Sequence, residues 1–288
     1  MIVVRLCGGL GNQLFQYAAG RRLALARRAE LVLDLGWYMR TPSSDTPRAY
    51  ELDHYPIQAR LTTQGEALWC RLHEGRLLRN LPIFPRRWRH WREKIFEFDT
   101  LVLDLPDNTY LDGYWQSYRY FEDGAHLIRA ELSPIAPLGA QDAEVAGLIT
   151  SVNAVSVHVR RGDYVTHQAA AAYHGLCSLE YYKSALAHIS RHVTQPHFFV
   201  FSDDPAWTRE NLPLPGQVTF VEHNGAATAF QDLRLMSLCD HQIIANSSFS
   251  WWGAWLNTRP DKVVVTPKQW FADQRNIQSL IPDNWIRL

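Results

Sequence analysis

Several patterns that commonly organise small-molecule chemistry are missing from this 288-residue chain. No two aspartates are spaced Asp-x-Asp, the arrangement whose carboxylates converge on a divalent ion in metal-dependent sugar-nucleotide enzymes. The 12 histidines include no HExxH pair, so neither a zinc site nor any obligatory metal is expected. Only four cysteines occur, Cys7, Cys70, Cys177 and Cys239, far apart and without a CxxC. That argues against a disulfide framework and suits a reducing compartment. No apolar run approaches the roughly 18 residues of a membrane span. The N-terminal run is broken by Arg5 and too short for a signal peptide, so a cytoplasmic protein is expected. Charge of neither sign dominates. With 29 Lys+Arg against 29 Asp+Glu, no global field draws the chain to nucleic acid.

What is present supports a substantial core: 47% of residues are apolar, enough for one large or two ordinary domains. IVVRLC reads as a buried strand, Gly8-Gly9-Leu10-Gly11-Asn12 as a tight turn, Gln13 to Arg28 as a helix and ELVLDL (30–35) as a second strand. Strand, glycine turn, helix and strand form a βαβ unit, hence a parallel sheet. After a connector near 133–153 the pattern restarts. Strands are expected at 154–160, 197–202, 217–221, 241–245 and 262–266, and helices at 178–192, 229–239 and 250–257. The expectation is two α/β domains, 1–150 and 151–288. In the segment 36–110, a helix is expected over Arg86 to Phe96, with Phe84, Trp88, Trp91 and Ile95 on one stripe. That stripe would be buried or would dock 85–96 on an anionic membrane. Ligands in open α/β sheets sit beyond the carboxyl ends of the strands, which singles out the loops after Cys7, Arg160, Ser202 and Ala245.

Four stretches carry candidate chemistry. In SVHVRRGDYV (156–165) strand alternation puts Ser156, His158 and Arg160 on one face, Val157, Val159 and Arg161 on the other. Arg160 would face a ligand at the strand end, its guanidinium fork matching a phosphate. Arg161 would turn inward, for instance to Asp163. In GGLGNQLFQYAAG (8–20) the glycines admit close approach to the backbone, and Asn12 and Gln13 could hydrogen-bond a sugar. A dinucleotide fingerprint with Asp34 as ribose ligand fails at Leu14, where a small residue is required. In FSDDPAW (201–207) Asp203 and Asp204 either cap a helix starting near Pro205 or serve a ligand. In QDLRLMSLCDHQIIANSSFSWWGAWL (231–256) Asp232 interrupts an apolar helix. Ser247 and Ser248 open a strand-to-helix turn suited to phosphate, and Trp251, Trp252 and Trp255 read as core in preference to a stacking platform.

Taken in order, GGLGNQLFQYAAG, LDGYWQSYRYF (111–121), HVRRGDYV, LEYYKSA (179–185), FSDD and ANSSFSWWGAWLN resemble the α-1,2-fucosyltransferases of glycosyltransferase family 11, over residues 8 to about 270. The resemblance implies an α/β fold of GT-B type: two Rossmann-like domains facing a cleft, the first on the acceptor side and the second binding GDP-L-fucose. It implies metal-independent, inverting transfer of fucose to the 2-hydroxyl of a terminal β-galactoside, a glycan that is either free or lipid-linked, with no cofactor beyond the donor. Arg160 matches the arginine that holds the β-phosphate. His158 and Asp232 match positions that recognise guanine. Ser247, Ser248 and Phe249 match the pyrophosphate loop, and Gly9, Gly11 and Asn12 the loop facing fucose and acceptor. Arg161 and Asp204 join the candidate donor-binding set. The general base stays open among Asp163, His167 and His174, with Asn12 as an orienting residue and the leaving phosphate as the alternative proton acceptor. Competing expectations are a GT-B transferase for another sugar nucleotide, a non-catalytic nucleotide- or glycan-binding protein and, more remotely, an NAD-dependent dehydrogenase.

Overall fold

A computed structural model of the chain describes residues 1–39, 48–74, 89–162, 175–273 and 275–288. The chain folds as two compact units, Met1–Ser133 with Asn276–Ile281, and Pro134–Arg275 with Pro282–Leu288. The division lies upstream of the expected boundary at 150. The helix over Ala140–Ser151 explains this, because its Ala146 and Ile149 pack with Ala154, Phe199 and Leu235 of the second unit.

The first unit is a wholly parallel five-stranded sheet made of β1 (Ile2–Arg5), β2 (Leu31–Asp34), β3 (Arg60–Leu61), β4 (Arg89–Arg92) and β5 (Thr109–Asp112). The strand order is β3-β2-β1-β5-β4. Its first helix, α1 (Leu10–Arg27), begins three residues before the expected start. The helices α2 (Gln64–Glu74) and α3 (Ala125–Glu131) are its other α-helices among the described residues. Where a dinucleotide fingerprint would need a glycine, Leu14 is fully buried, and close packing of helix on strand falls at Gly20. A Cβ there would lie 2.3 Å from Val4 Cγ2 and 3.2 Å from Leu31 Cδ1. Gly20→Val is therefore expected to cost about 1–3 kcal/mol through overpacking. Thermal unfolding would read it as a lowered midpoint; an unmoved midpoint would mean that α1 is not seated this tightly.

The expected helix over 86–96 is not formed. Arg89–Arg92 is an edge strand beside β5. His90 and Arg92 share a face and both reach Asp112 on the neighbouring strand, at 3.3 and 2.7 Å. His90 and Arg92 meeting one buried carboxylate outweigh the local helical spacing, as tertiary context does for strands generally. Trp91 and Ile95 therefore lie on no helical stripe, while Phe84 and Trp88 lie outside the described residues. Among the described residues no helix is long and apolar enough to cross a membrane.

The second unit contains α4 (Ala140–Ser151), β6 (Asn153–Val159), α5 (Leu179–His192), β7 (Pro196–Ser202), α6 (Pro205–Asn211), β8 (Gln217–Val221), α7 (Ala229–Leu238), β9 (His241–Ile243), α8 (Ser248–Leu256), β10 (Val264–Thr266) and β11 (Ile286–Arg287). Its six strands are all parallel, in the order β11-β10-β9-β6-β7-β8. Alternation in β6 sorts the faces as the sequence suggests. Val155, Val157 and Val159 pack with Tyr181, Tyr182, Leu186 and Ile189 of α5. Ala154 faces Leu235 and Met236 of α7, and His158 shares its parity. From β6 the chain order runs outward to β7 and β8 on one side and to β9 and β10 on the other. The carboxyl end of β6 is thus a topological switch point, where such sheets open a crevice. In the first unit β1, between β2 and β5, holds the corresponding position.

Candidate active site

Because β7 and β9 flank β6, the loops after all three strands converge at its end. Arg160 follows β6 directly and forms an ion pair with Asp203, 3.0 Å away, beyond β7. Asp203 also accepts a hydrogen bond from the Arg161 backbone N–H at 2.8 Å. Gly162 makes room for this arrangement, since a Cβ there would lie 2.7 Å from an Asp203 carboxylate oxygen. Asp203 thus holds both the side chain of Arg160 and the turn that carries it.

Arg161 turns inward as expected. Its Nε donates to Asp204 over 3.4 Å, and its guanidinium lies 3.5 Å from the centroid of the Trp207 ring. Asp163, His167 and His174 lie outside the described residues. Asp204 caps α6, its carboxylate accepting from the Trp207 N–H. The helix-capping reading of the acidic pair therefore holds for Asp204, and both Arg161 and Asp204 are engaged within the protein.

His158 is buried, and its ring tilts against that of Phe249 with centroids 5.8 Å apart. Burial, with the Arg160 charge as a lesser cause, pushes its pKa down to about 3. The ring is neutral at neutral pH, and its Nδ1 has no hydrogen-bond partner among the described residues. A buried polar atom left unpaired is costly, and such atoms concentrate where ligands bind or strain is stored.

Asp232, in the first turn of α7, belongs to a cluster that sequence reasoning missed. Asn224 donates from Nδ2 to both Asp232 and Asp142, at 2.8 and 2.9 Å, and His223 Nε2 lies 2.9 Å from Asp142. Burial pushes the Asp232 carboxyl up to about 6; the Asn224 hydrogen bond and His223 oppose the rise, and Asp142 adds to it. Asp142 belongs to α4, far upstream in sequence, so no local spacing signalled this cluster.

Ser247 caps α8, accepting from the Phe249 N–H at 3.3 Å, and Ser248 is the first residue of that helix. Asn246, just before them, is buried. Its amide donates to the carbonyls of Gly175 and Trp270, and its Oδ1 accepts from the Cys177 thiol. The turn is thereby anchored on three sides. Trp251, Trp252 and Trp255 are buried and pack on one another, which agrees with the core reading.

In the first unit Gly8 adopts φ +77, and a Cβ on it would lie 2.5 Å from Asn12 Nδ2. Asn12 Oδ1 accepts from Gln116 Nε2 at 2.7 Å. Gln13, expected as a sugar ligand, is fully buried; its amide bonds the Gly8 and Ala49 carbonyls and the Glu51 N–H. It builds the loop and cannot reach a ligand. Gly9 is the helix N-cap residue and Gly11 lies in the first turn of α1. Asp34 is also spoken for, accepting from the Gly36 N–H and the Tyr110 hydroxyl, which removes the remaining support for a dinucleotide site.

Two parallel α/β units, the second with an arginine at its switch point, are an architecture of GT-B type. The chain belongs to glycosyl transferase family 11, whose sequence model matches residues 76–288. Over 98% of its length it is 34% identical to the O-antigen biosynthesis glycosyltransferase WbnK of Escherichia coli, spanning 99% of that protein. It is 33% identical over its whole length to an Escherichia coli alpha-1,2-colitosyltransferase, spanning 99% of that chain. Among solved structures, a GDP complex of Arabidopsis thaliana FUT1 aligns with a TM-score of 0.51 at 12% identity, covering 91% of this chain and 69% of the other, a likeness of fold.

Proposed function

We propose that the protein transfers a 6-deoxy-L-galactose-type sugar, in the first instance L-fucose, from its GDP conjugate to the 2-hydroxyl of a terminal galactose, with inversion and without a metal ion. The observation that carries this reading is the Arg160 guanidinium, held by Asp203 at the end of β6. As the C1–O bond of the donor breaks, negative charge grows on the departing GDP. A positioned cation stabilises that charge without needing a metal, and such pre-organised electrostatics are often the largest catalytic contribution. Asp232 supports guanine as the base, because an ionised carboxylate accepts from guanine N1–H and N2–H together, whereas uracil offers no such pair. The galactose hydroxyl would attack C1 opposite the departing GDP, turning a β-linked donor into an α-linked product.

A second donor is favoured by a particular observation. The full-length similarity to a colitosyltransferase makes GDP-colitose, whose sugar is L-fucose without its 3-hydroxyl, the competing substrate. Turnover of GDP-fucose and GDP-colitose side by side decides between them.

The test of the whole reading is thermal unfolding with GDP, UDP or ADP, each in EDTA and in magnesium. A ligand that binds only the folded state raises the midpoint by mass action. GDP is expected to raise it most, equally in both buffers. A larger shift with UDP, or a shift with GDP only in magnesium, would overturn the roles of Asp232 and Arg160.

The raised pKa of Asp232 adds a pH signature. The acid form predominates below pH about 6 and carries an O–H donor on one oxygen, which breaks the two-oxygen match to guanine N1–H and N2–H. GDP affinity is therefore expected to fall as pH drops through 6, approaching about tenfold per unit. In Asp232→Asn this dependence should disappear. GDP affinity that is flat between pH 7 and 5 in the unmodified protein would remove Asp232 from base recognition.

A further inference from the structure

The motif LDGYWQ (111–116) forms the carboxyl end of β5 and the turn beyond it, beside β1 at the switch point of the first sheet. A cavity of about 510 Å³ opens there, lined by Arg5, Trp37, Arg92, Glu93, Asp112 and Tyr114 among others. The two carboxylates in it differ. Asp112 is neutralised, with Arg5 on one oxygen at 3.0 Å and Arg92 on the other at 2.7 Å. Burial alone would raise its pKa, but His90, Arg5 and Arg92 hold it well below the usual carboxylate range.

Glu93 has no cation against it among the described residues. Its oxygens instead accept from two successive backbone N–H groups, Tyr114 at 2.7 Å and Trp115 at 3.2 Å. The turn that presents these donors is strained. Trp115 is buried at φ 55, a left-handed conformation that a bulky side chain rarely adopts, and strain of this kind clusters at functional sites. Gly113 leaves the space that Glu93 occupies, since a Cβ on it would lie 2.5 Å from Glu93 Cβ. Each Glu93 oxygen keeps a lone pair for another donor.

We propose that this cavity binds one neutral sugar ring of the acceptor glycan, with Glu93 accepting hydrogen bonds from adjacent ring hydroxyls and Trp37 and Tyr114 forming the apolar walls. The inference rests on the glycosyltransferase reading and names a subsite for it. The lining combines the charged side chains of Arg5, Arg92, Glu93 and Asp112 with the Trp37 and Tyr114 rings, which suits a ring with polar edges and apolar faces. A carboxylate left without a cation suits hydroxyl donors, not an anion. Burial pushes Glu93 up to about 7, opposed by the two N–H groups and reinforced by Asp112. The groups around it are Asp112 on β5, Arg5 and Cys7 on and after β1, His90 and Arg92 on β4, and Tyr120.

The experiment is an NMR titration of the protein, without donor, with methyl β-D-galactopyranoside at pH 8 and pH 6. Unmodified protein, Glu93→Gln and Trp37→Ala are compared, and each is checked for fold by its thermal shift with GDP. Unmodified protein should bind several-fold more weakly at pH 6, where Glu93 is protonated. Glu93→Gln should bind about tenfold more weakly at pH 8 and show no pH dependence, which separates Glu93 from His90. Trp37→Ala should weaken binding and keep the pH dependence. Unchanged galactoside binding in a Glu93→Gln protein that still shifts with GDP would overturn the proposal, as would equal weakening of the two variants with the pH dependence intact in both. Loss of the GDP shift in unmodified protein would instead overturn the donor reading, and the galactoside titration would still decide the subsite.

Discussion

Arg160→Ala is expected to lower sugar transfer at least about a hundredfold, corresponding to about 3 kcal/mol or more of lost transition-state stabilisation. The thermal midpoint should hardly move. The Arg160–Asp203 pair is partly open to solvent, with side chains 23% and 25% exposed, and pairs of that kind contribute on the order of 0–1 kcal/mol. Asp203 keeps a partner in the Arg161 N–H, so the turn survives. Arg160→Lys should recover only part of the loss, because an ammonium keeps the charge but not the bidentate fork. The measurement is initial-rate transfer alongside GDP-induced thermal shift. An Arg160→Ala protein retaining most of its rate would show that leaving-group charge is met elsewhere, and Arg160 would then be only the partner of Asp203.

Trp251→Ala should have the largest effect on stability. Its indole is fully buried, lies near-parallel to Trp255 at 6.1 Å, and touches Trp252 and Trp285 at 5.1 and 5.6 Å between centroids. Removing a large aromatic from such a site costs about 3–5 kcal/mol. That is a large fraction of the 5–15 kcal/mol that typically separates folded from unfolded protein. GDP affinity per folded molecule is expected to be unchanged, since the ring has no exposed face. The opposite result, a stable protein that binds GDP about tenfold more weakly, would make the tryptophans a ligand platform. Denaturant unfolding followed by GDP titration separates the two outcomes.

Legibility varied with the range of the interaction involved. The alternation of SVHVRRGD was enough to separate the valines under α5 from His158 on the opposite face, because side-chain direction in a strand depends only on parity. Capping by the Asp203-Asp204 pair was readable as one of two roles because capping acts within one turn, while Ser247, read as part of a phosphate-binding turn, also proves to cap α8. The helix expected at 86–96 misled because its apolar spacing suits a helix, while Asp112, twenty residues on, pairs with Arg92 only when β4 lies beside β5. Gln13 looked like a ligand by position, and only its buried hydrogen bonds assign it to the framework, whereas Leu14 had already set Asp34 aside as a ribose ligand.

Local order in this chain, meaning strands, helix starts and the face each side chain takes, follows from residue periodicity and turn chemistry, which act over a few residues. The grouping of Arg160 with Asp203, of Asp232 with Asn224 and Asp142, and of Glu93 with the Gly113–Trp115 turn follows instead from strand order and the packing of α4 on the second sheet. Those partners lie as many as 90 residues apart, between Asp142 and Asp232. Contacts at that separation exist only after non-local pairing has closed the intervening loops, so no periodicity in the chain announces them.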